Sequence, residues 1–348
     1  MASPVRDSAW LEWMERLMGA GSRQSLTAKL PPQQFHCLLE ELPLHLLPRR
    51  GIESARESPE ASKFLFLNPE CSILSAGQVP AELTDRKDLL DGFCLESSIA
   101  WVRDRCTGFL LPFWLGAKCE SILSQIRAGE AVAKVHPGRS QDALEKAGIL
   151  IPAGYQGQRI SEWQVLVERG AEAFRRGNYF PLSNLIHPFH IAALRRYYRA
   201  AIRRGLIRLG DEQSPRRYVA HNELVARYFH HQITGVVSAI VGEPVKPSYV
   251  YLASYLSGAE LKKHTDREQC EFSVTLCLDF SPEPEQATPW PIRVDIPEGR
   301  VAIYQEVGDG LVYRGTRVPH YRGVLGQGCT STSMFFHYVP ADFSGPLD

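Results

Sequence analysis

The 348-residue sequence has eight cysteines but no CxxC pair. Cys37, Cys71, Cys94, Cys106, Cys119, Cys270, Cys277 and Cys329 are scattered too widely for a zinc knuckle or a redox dithiol, and they read as reduced thiols of a cytoplasmic protein. There is no apolar run of about 18 residues, which excludes a membrane-spanning helix. Residues 1–21 are interrupted by Asp7, Glu12, Glu15 and Arg16, so they lack the apolar core of a secretory signal. Neither charge is in excess. With 39 basic and 39 acidic residues, no long-range field draws the chain to nucleic acid or to an anionic membrane. A phosphate loop is missing too: Gly308-Asp309-Gly310 is too short for one and reads as a hairpin turn.

What is present is an ordinary globular composition, 44% hydrophobic and 22% charged, on a chain longer than one core usually covers. Pro152, Gly154 and Gly157 make 152–157 the best linker, which divides the chain into domains 1–157 and 158–348. The first reads as mainly helical. Trp10, Leu11, Met14, Leu17 and Met18 form one helical stripe, Phe35, Leu38, Leu39 and Leu42 a second, and further helices fit 117–128 and 140–147. In the loop-rich stretch between, Phe64–Leu67 could be a buried strand. Helix, turn, helix and short strand over 117–151 are compatible with a winged-helix-like module, but Asp142 and Glu145 beside Lys146 make a poor surface for reading DNA. The expected role of this domain is to present or cover a small-molecule or peptide substrate, or to dock a carrier protein or peptide, without binding nucleic acid.

The second domain begins with helices. Residues 189–204 carry Arg195, Arg199 and Arg203 along one face, either a dock for an anionic partner or ordinary partners for nearby carboxylates. Residues 221–241 form another, with His230 and His231 pointing in different directions. From 249 onward the pattern changes to period two: Tyr249, Tyr251, Ala253 and Tyr255 alternate with Val250, Leu252 and Ser254, and Phe272, Val274, Leu276 and Leu278 alternate with Ser273, Thr275 and Cys277. Strands at 292–296, 301–304, 311–314 and 331–339 follow, punctuated by Gly and Pro. The expected fold is α+β, a jelly-roll of two sheets buttressed by helices.

His264-Thr265-Asp266 lies among those strands. On a strand, positions i and i+2 share a face about 7 Å apart, close enough for His264 and Asp266 to clasp one ion. His320, behind Val318-Pro319, belongs to a later strand. Two histidines and one carboxylate bind Fe(II) on one face and leave three positions open. A salt-bridged aspartate with two core-edge histidines is the plain structural alternative. A Zn or Mn hydrolase built on the same three residues would need a general base, and no second carboxylate is obviously placed for that.

In these features residues 177–339 resemble the Fe(II)/2-oxoglutarate-dependent dioxygenases, of the prolyl-hydroxylase-like or phytanoyl-CoA-hydroxylase-like kind, whose double-stranded β-helix carries HxD and a distal His. The resemblance implies that His264, Asp266 and His320 bind Fe(II), that 2-oxoglutarate and O2 join it, and that the enzyme hydroxylates or otherwise oxidises an amino acid, peptide or small metabolite. Because halogenating relatives usually replace the carboxylate, Asp266 points to hydroxylation or a related oxidation. Most relatives grip the far carboxylate of 2-oxoglutarate with an Arg or Lys on the strand after the distal His. Here that zone is Thr330-Ser331-Thr332-Ser333, and no Lys or Arg follows Arg322. Arg322 is therefore the first candidate anchor, with Arg314 and Arg317 in reserve and the hydroxyls of Tyr251 and Thr332 in support. A jelly-roll that has lost 2-oxoglutarate and serves as a non-catalytic binding module is the other reading of that departure.

Overall fold

The computed structural model describes residues 33–41, 64–127, 129–133 and 138–348. The helix expected at 8–18 lies outside these residues; the one expected at 31–42 does not form over 33–38, where Phe35 and Leu38 instead bridge to Phe93 and Trp114, and only a 3-10 turn at Leu39–Glu41 is helical. The next part of the chain holds β1 (Phe64–Leu67), β2 (Cys71–Leu74), β3 (Ile99–Arg103), β4 (Leu110–Trp114), α1 (Ala117–Ser124), β5 (Val132–Ala133), α2 (Arg139–Lys146) and β6 (Leu150–Pro152). The strands form two antiparallel sheets, β5-β1-β6 and β2-β3-β4. This stretch is therefore mixed, where the sequence suggests mainly helix. β3 and β4 are apolar on both faces, so neither shows the alternation that marks a half-buried strand.

Gly154, at φ +83°, turns the chain into α3 (Tyr155–Gly177), which runs unbroken through Gly157. After β7 (Tyr179–Leu182), α4 (Pro188–Arg203) opens with proline in its first turn. β8 (Arg208–Leu209) and β9 (Arg217–His221) follow. The long helix expected at 221–241 is in fact two, α5 (Leu224–Gln232) and α6 (Thr234–Val241), with His221 left behind in β9.

The remaining chain is β10 (Val245–Tyr255), β11 (Leu261–His264), β12 (Phe272–Ser281), β13 (Ile292–Ile296), β14 (Gly299–Ile303), β15 (Gly310–Tyr313), β16 (His320–Arg322) and β17 (Thr330–Pro340). It passes back and forth between two antiparallel sheets. The larger has the order β7-β15-β12-β17-β10-β9-β8 and the smaller β11-β16-β13-β14. From β10 on, apart from the β13–β14 hairpin, strands that follow one another thus lie in facing sheets, which is the winding of a double-stranded β-helix. Val274, Leu276, Met334, Phe336 and Tyr338 point from the larger sheet into a core shared with Leu194 and Tyr198 of α4, Phe229 of α5 and Ile240 of α6. Their neighbours Ser273, Thr275, Ser333 and His337 face the smaller sheet. That second set lines the site.

The arginine stripe of α4 fastens this helix layer to the sheet. Arg195 Nε lies 2.9 Å and Arg199 Nη2 2.7 Å from Asp279 Oδ1, and Arg195 also pairs with Glu283. Arg195 and Arg199 are therefore partners of nearby carboxylates.

His190 of α4 is fully buried, with Nε2 2.8 Å from the Pro112 carbonyl and Nδ1 without a partner. Burial, with His187 nearby, pushes its pKa from 6.5 down to about 3. Below pH 6.5 the unfolded chain takes up a proton that the folded chain refuses, so stability falls with pH by about 1.4 kcal/mol per unit for this group. Urea unfolding at pH 7 and pH 5 checks this. The pH dependence of His190→Leu is expected to be shallower by that one proton.

Candidate metal centre

β11 and β16 pair antiparallel with His264 directly opposite His320, and the two rings lie 4.3 Å apart. β11 ends at His264, and Asp266 follows two residues on, its amide donating to the Gly315 carbonyl at 2.9 Å. Asp266 Oδ1 stands 3.6 Å from His264 Nε2 and 3.5 Å from His320 Nε2. The structure thus brings His264, Asp266 and His320 together, with ligand atoms within 4.8 Å of one another. Such a set suits one divalent ion.

The orientation of each ligand is fixed from behind. His264 Nδ1 lies 2.7 Å from the Lys262 carbonyl and His320 Nδ1 3.0 Å from the Val318 carbonyl, contacts in which Nδ1 must be the donor. Each ring therefore presents a lone pair at Nε2, as a metal ligand requires. Burial pulls the pKa of His320 below its ordinary value; Asp266 opposes the shift and His264 adds to it. Tyr313 Oη lies 3.4 Å from His320 Nε2.

Two residues after His320, and so on the same face of β16 about 7 Å along it, Arg322 points into the barrel at 3% exposure. Its Nη1 donates to the Trp290 carbonyl at 2.6 Å and Nη2 to Gln305 Oε1 at 2.9 Å, while Nε has no partner. The guanidinium sits 5.0 Å from the Trp290 ring. Among the described residues no carboxylate forms an ion pair with it. Burial lowers its pKa, and only the Cys277 thiol and the Tyr255 and Tyr313 hydroxyls oppose that shift. Ser333 is 1% exposed, its hydroxyl has no partner, and it lies opposite Cys277 in the sheet. A buried cation without a counter-ion leaves the interior one anion short.

The other anchor candidates lie elsewhere. Arg314 is 3.5 Å from Glu271 and 3.7 Å from Glu243, and Arg317 is exposed. Tyr251 faces the interior, but its hydroxyl donates to Asp211, which also pairs with Arg217. Thr332 shares its face with Met334 and Phe336, the helix-covered side, where its hydroxyl donates to Ser254 Oγ at 2.8 Å. Its neighbour Ser333 occupies the inward position. Sequence reasoning also passed over Ser273, Gly315 and His337, which surround Asp266. The available signal was the polar residues at inward positions, Ser273 and Thr275 on β12 and Ser331, Ser333 and His337 on β17.

Strand order and site define a double-stranded β-helix with a two-histidine, one-carboxylate cluster between its sheets. No family model matches the sequence, and neither does any curated protein. Among solved structures it is similar to the non-heme alpha ketoglutarate dependent epimerase SnoN from nogalamycin biosynthesis, at 13% identity over 51% of this chain and 84% of that one, TM-score 0.44. It is also similar to a Pseudomonas putida prolyl-4-hydroxylase, at 16% identity over 50% and 99%, TM-score 0.41. A third is HygX from Streptomyces hygroscopicus, solved with nickel and 2-oxoglutarate bound, at 10% identity over 50% and 87%, TM-score 0.40.

Proposed function

We propose that this protein is a non-haem Fe(II)/2-oxoglutarate-dependent oxygenase that hydroxylates, or otherwise oxidises, a C–H bond of an amino acid, peptide or small metabolite. The carrying observation is one face of β16, where His320 joins the triad and Arg322, buried and without a carboxylate partner among the described residues, stands two residues beyond. A spacing of about 7 Å suits a five-carbon diacid held at one end by the metal and at the other by the guanidinium.

Fe(II) held by His264, Asp266 and His320 would supply, with 2-oxoglutarate and O2, an oxidant strong enough to take hydrogen from carbon, with succinate and CO2 as co-products. The chain's own residues do the positioning. His264 and His320 offer Nε2, Asp266 offers Oδ1, and Arg322 neutralises the far carboxylate in a site closed to water, where that charge pairing is strongest. A hydrolase reading finds little support, since Glu271, whose backbone carbonyl accepts from Gly315 beside Asp266, has its carboxylate engaged by Arg314 and Thr316. All eight cysteines are unpaired, which supports a cytoplasmic setting. Among the described residues no helix is long and apolar enough to cross a membrane.

The test is direct. Fe(II) and 2-oxoglutarate added without air are expected to give a weak visible charge-transfer band that needs both, and admitting air is expected to form succinate. Absence of both signals would sink the oxygenase. Succinate formation also serves to screen substrates, because a true substrate accelerates it.

A further inference from the structure

Asp266 divides its two oxygens between different tasks. Oδ1 faces the Nε2 atoms of both histidines, while Oδ2 is turned away and lies 2.9 Å from Ser273 Oγ. Ser273 Oγ is in turn 2.9 Å from His337 Nδ1. Ser273 and His337 are cross-strand partners on β12 and β17, 0% and 7% exposed, so this line of contacts is shut off from water. An ionised carboxylate can only accept, and the serine has a single hydrogen. The alternative acceptor, the Cys270 carbonyl, is farther from it at 3.4 Å. The hydrogen therefore goes to Asp266, and His337 must carry its proton at Nδ1 and donate it to Ser273. The imidazole is held at its angle by the Tyr249 ring, 4.6 Å away, whose hydroxyl is 3.0 Å from Cys270 Sγ.

We infer that Ser273 and His337 are positioning residues that hold Asp266 in one-oxygen ligation. This rests on the metal-binding part of the proposed reading. With Oδ2 occupied, the carboxylate offers the ion Oδ1 alone and fills one coordination position. Without the serine hydrogen bond it is free to rotate and chelate through both oxygens, taking a position that a co-substrate needs. The second role belongs to His337, because a serine hydroxyl can rotate and only a donor behind it fixes which way its hydrogen points.

Co(II) alone is the probe, since its d–d absorption reports coordination number and its affinity can be titrated without turnover. Ser273→Ala and His337→Leu are each expected to bind Co(II) roughly ten-fold more weakly, the low end for partners that orient metal ligands, with an altered d–d spectrum. Ser273→Thr keeps the hydroxyl, and His337→Asn keeps an N–H near the Nδ1 position. Both are expected to restore the wild-type spectrum. Melting of the metal-free variants separates this from a fold defect: the inference requires the melting increment given by Co(II) to shrink, whatever the metal-free value does. Unchanged affinity and spectrum in Ser273→Ala and His337→Leu overturn it, as does failure of both conservative variants to restore the spectrum. If the wild-type protein itself binds no Co(II), the metal-binding reading falls and this inference falls with it, a result distinct from selective insensitivity of the two variants.

Discussion

Arg322→Met is expected to abolish 2-oxoglutarate binding at ordinary concentrations while leaving metal binding intact. Removing one partner of a buried, hydrogen-bonded charge pair costs about 2–5 kcal/mol, which is roughly thirty-fold to several thousand-fold in Kd. The upper part of that range applies here because Arg322 is 3% exposed and no described carboxylate already pairs with it. Stability should respond differently. Methionine leaves the Trp290 carbonyl and Gln305 Oε1 without a donor, which destabilises, but it also removes an uncompensated buried charge, which stabilises. The two effects oppose, so the apo protein is expected to melt near the wild-type temperature. Arg322→Lys keeps the charge and loses the fork, and its affinity should lie between the two. Calorimetric titration of 2-oxoglutarate into the Mn(II)-loaded proteins, without turnover, measures all three. Equal affinity in wild type and Arg322→Met would mean that the co-substrate is anchored elsewhere.

That anchor is harder to read in the sequence than the triad, and the reason is geometric. Alternation in β10, β12 and β17 is legible because each strand has one face against helices and one against the smaller sheet. HxD and the distal His are legible because they are local motifs. Which parity of β17 faces inward is a different matter, since a one-residue step exchanges the faces. Met334, Phe336 and Tyr338 mark the helix-covered face and carry Thr332 with them, which leaves Ser333 inside. Ser273 and His337 meet through the register of β12 against β17, a pairing of residues far apart in sequence that no local pattern encodes. β3 and β4 are not legible for a third reason: a strand buried on both faces has no period to detect.

Gly315 shows how tightly the backbone is fitted around the carboxylate, and Gly315→Ala is expected to impair the metal site as severely as changing a ligand's partner does. Its amide donates to the Glu271 carbonyl at 3.0 Å and its carbonyl accepts from Asp266 N at 2.9 Å, so it ties together both ends of the segment that carries Asp266. A methyl group here would stand 2.3 Å from Asp266 Oδ2, 2.4 Å from the Cys270 carbonyl oxygen and 2.9 Å from Ser273 Oγ. The first and last of these belong to the contact that orients the carboxylate, and the second is backbone that cannot swing aside. Relief therefore requires displacing Asp266, and with it the ligand geometry. Metal affinity should fall by roughly 10- to 100-fold, and overpacking should cost about 1–3 kcal/mol of stability. Gly323→Ala is the matched control: it lies just beyond β16, and its added carbon would meet only the end of the Arg293 side chain, at 3.3 Å. That variant should bind Mn(II) and unfold like wild type. If Gly315→Ala binds Mn(II) with wild-type affinity, the carboxylate has freedom that this close packing denies it, and Asp266 does not owe its orientation to the surrounding backbone.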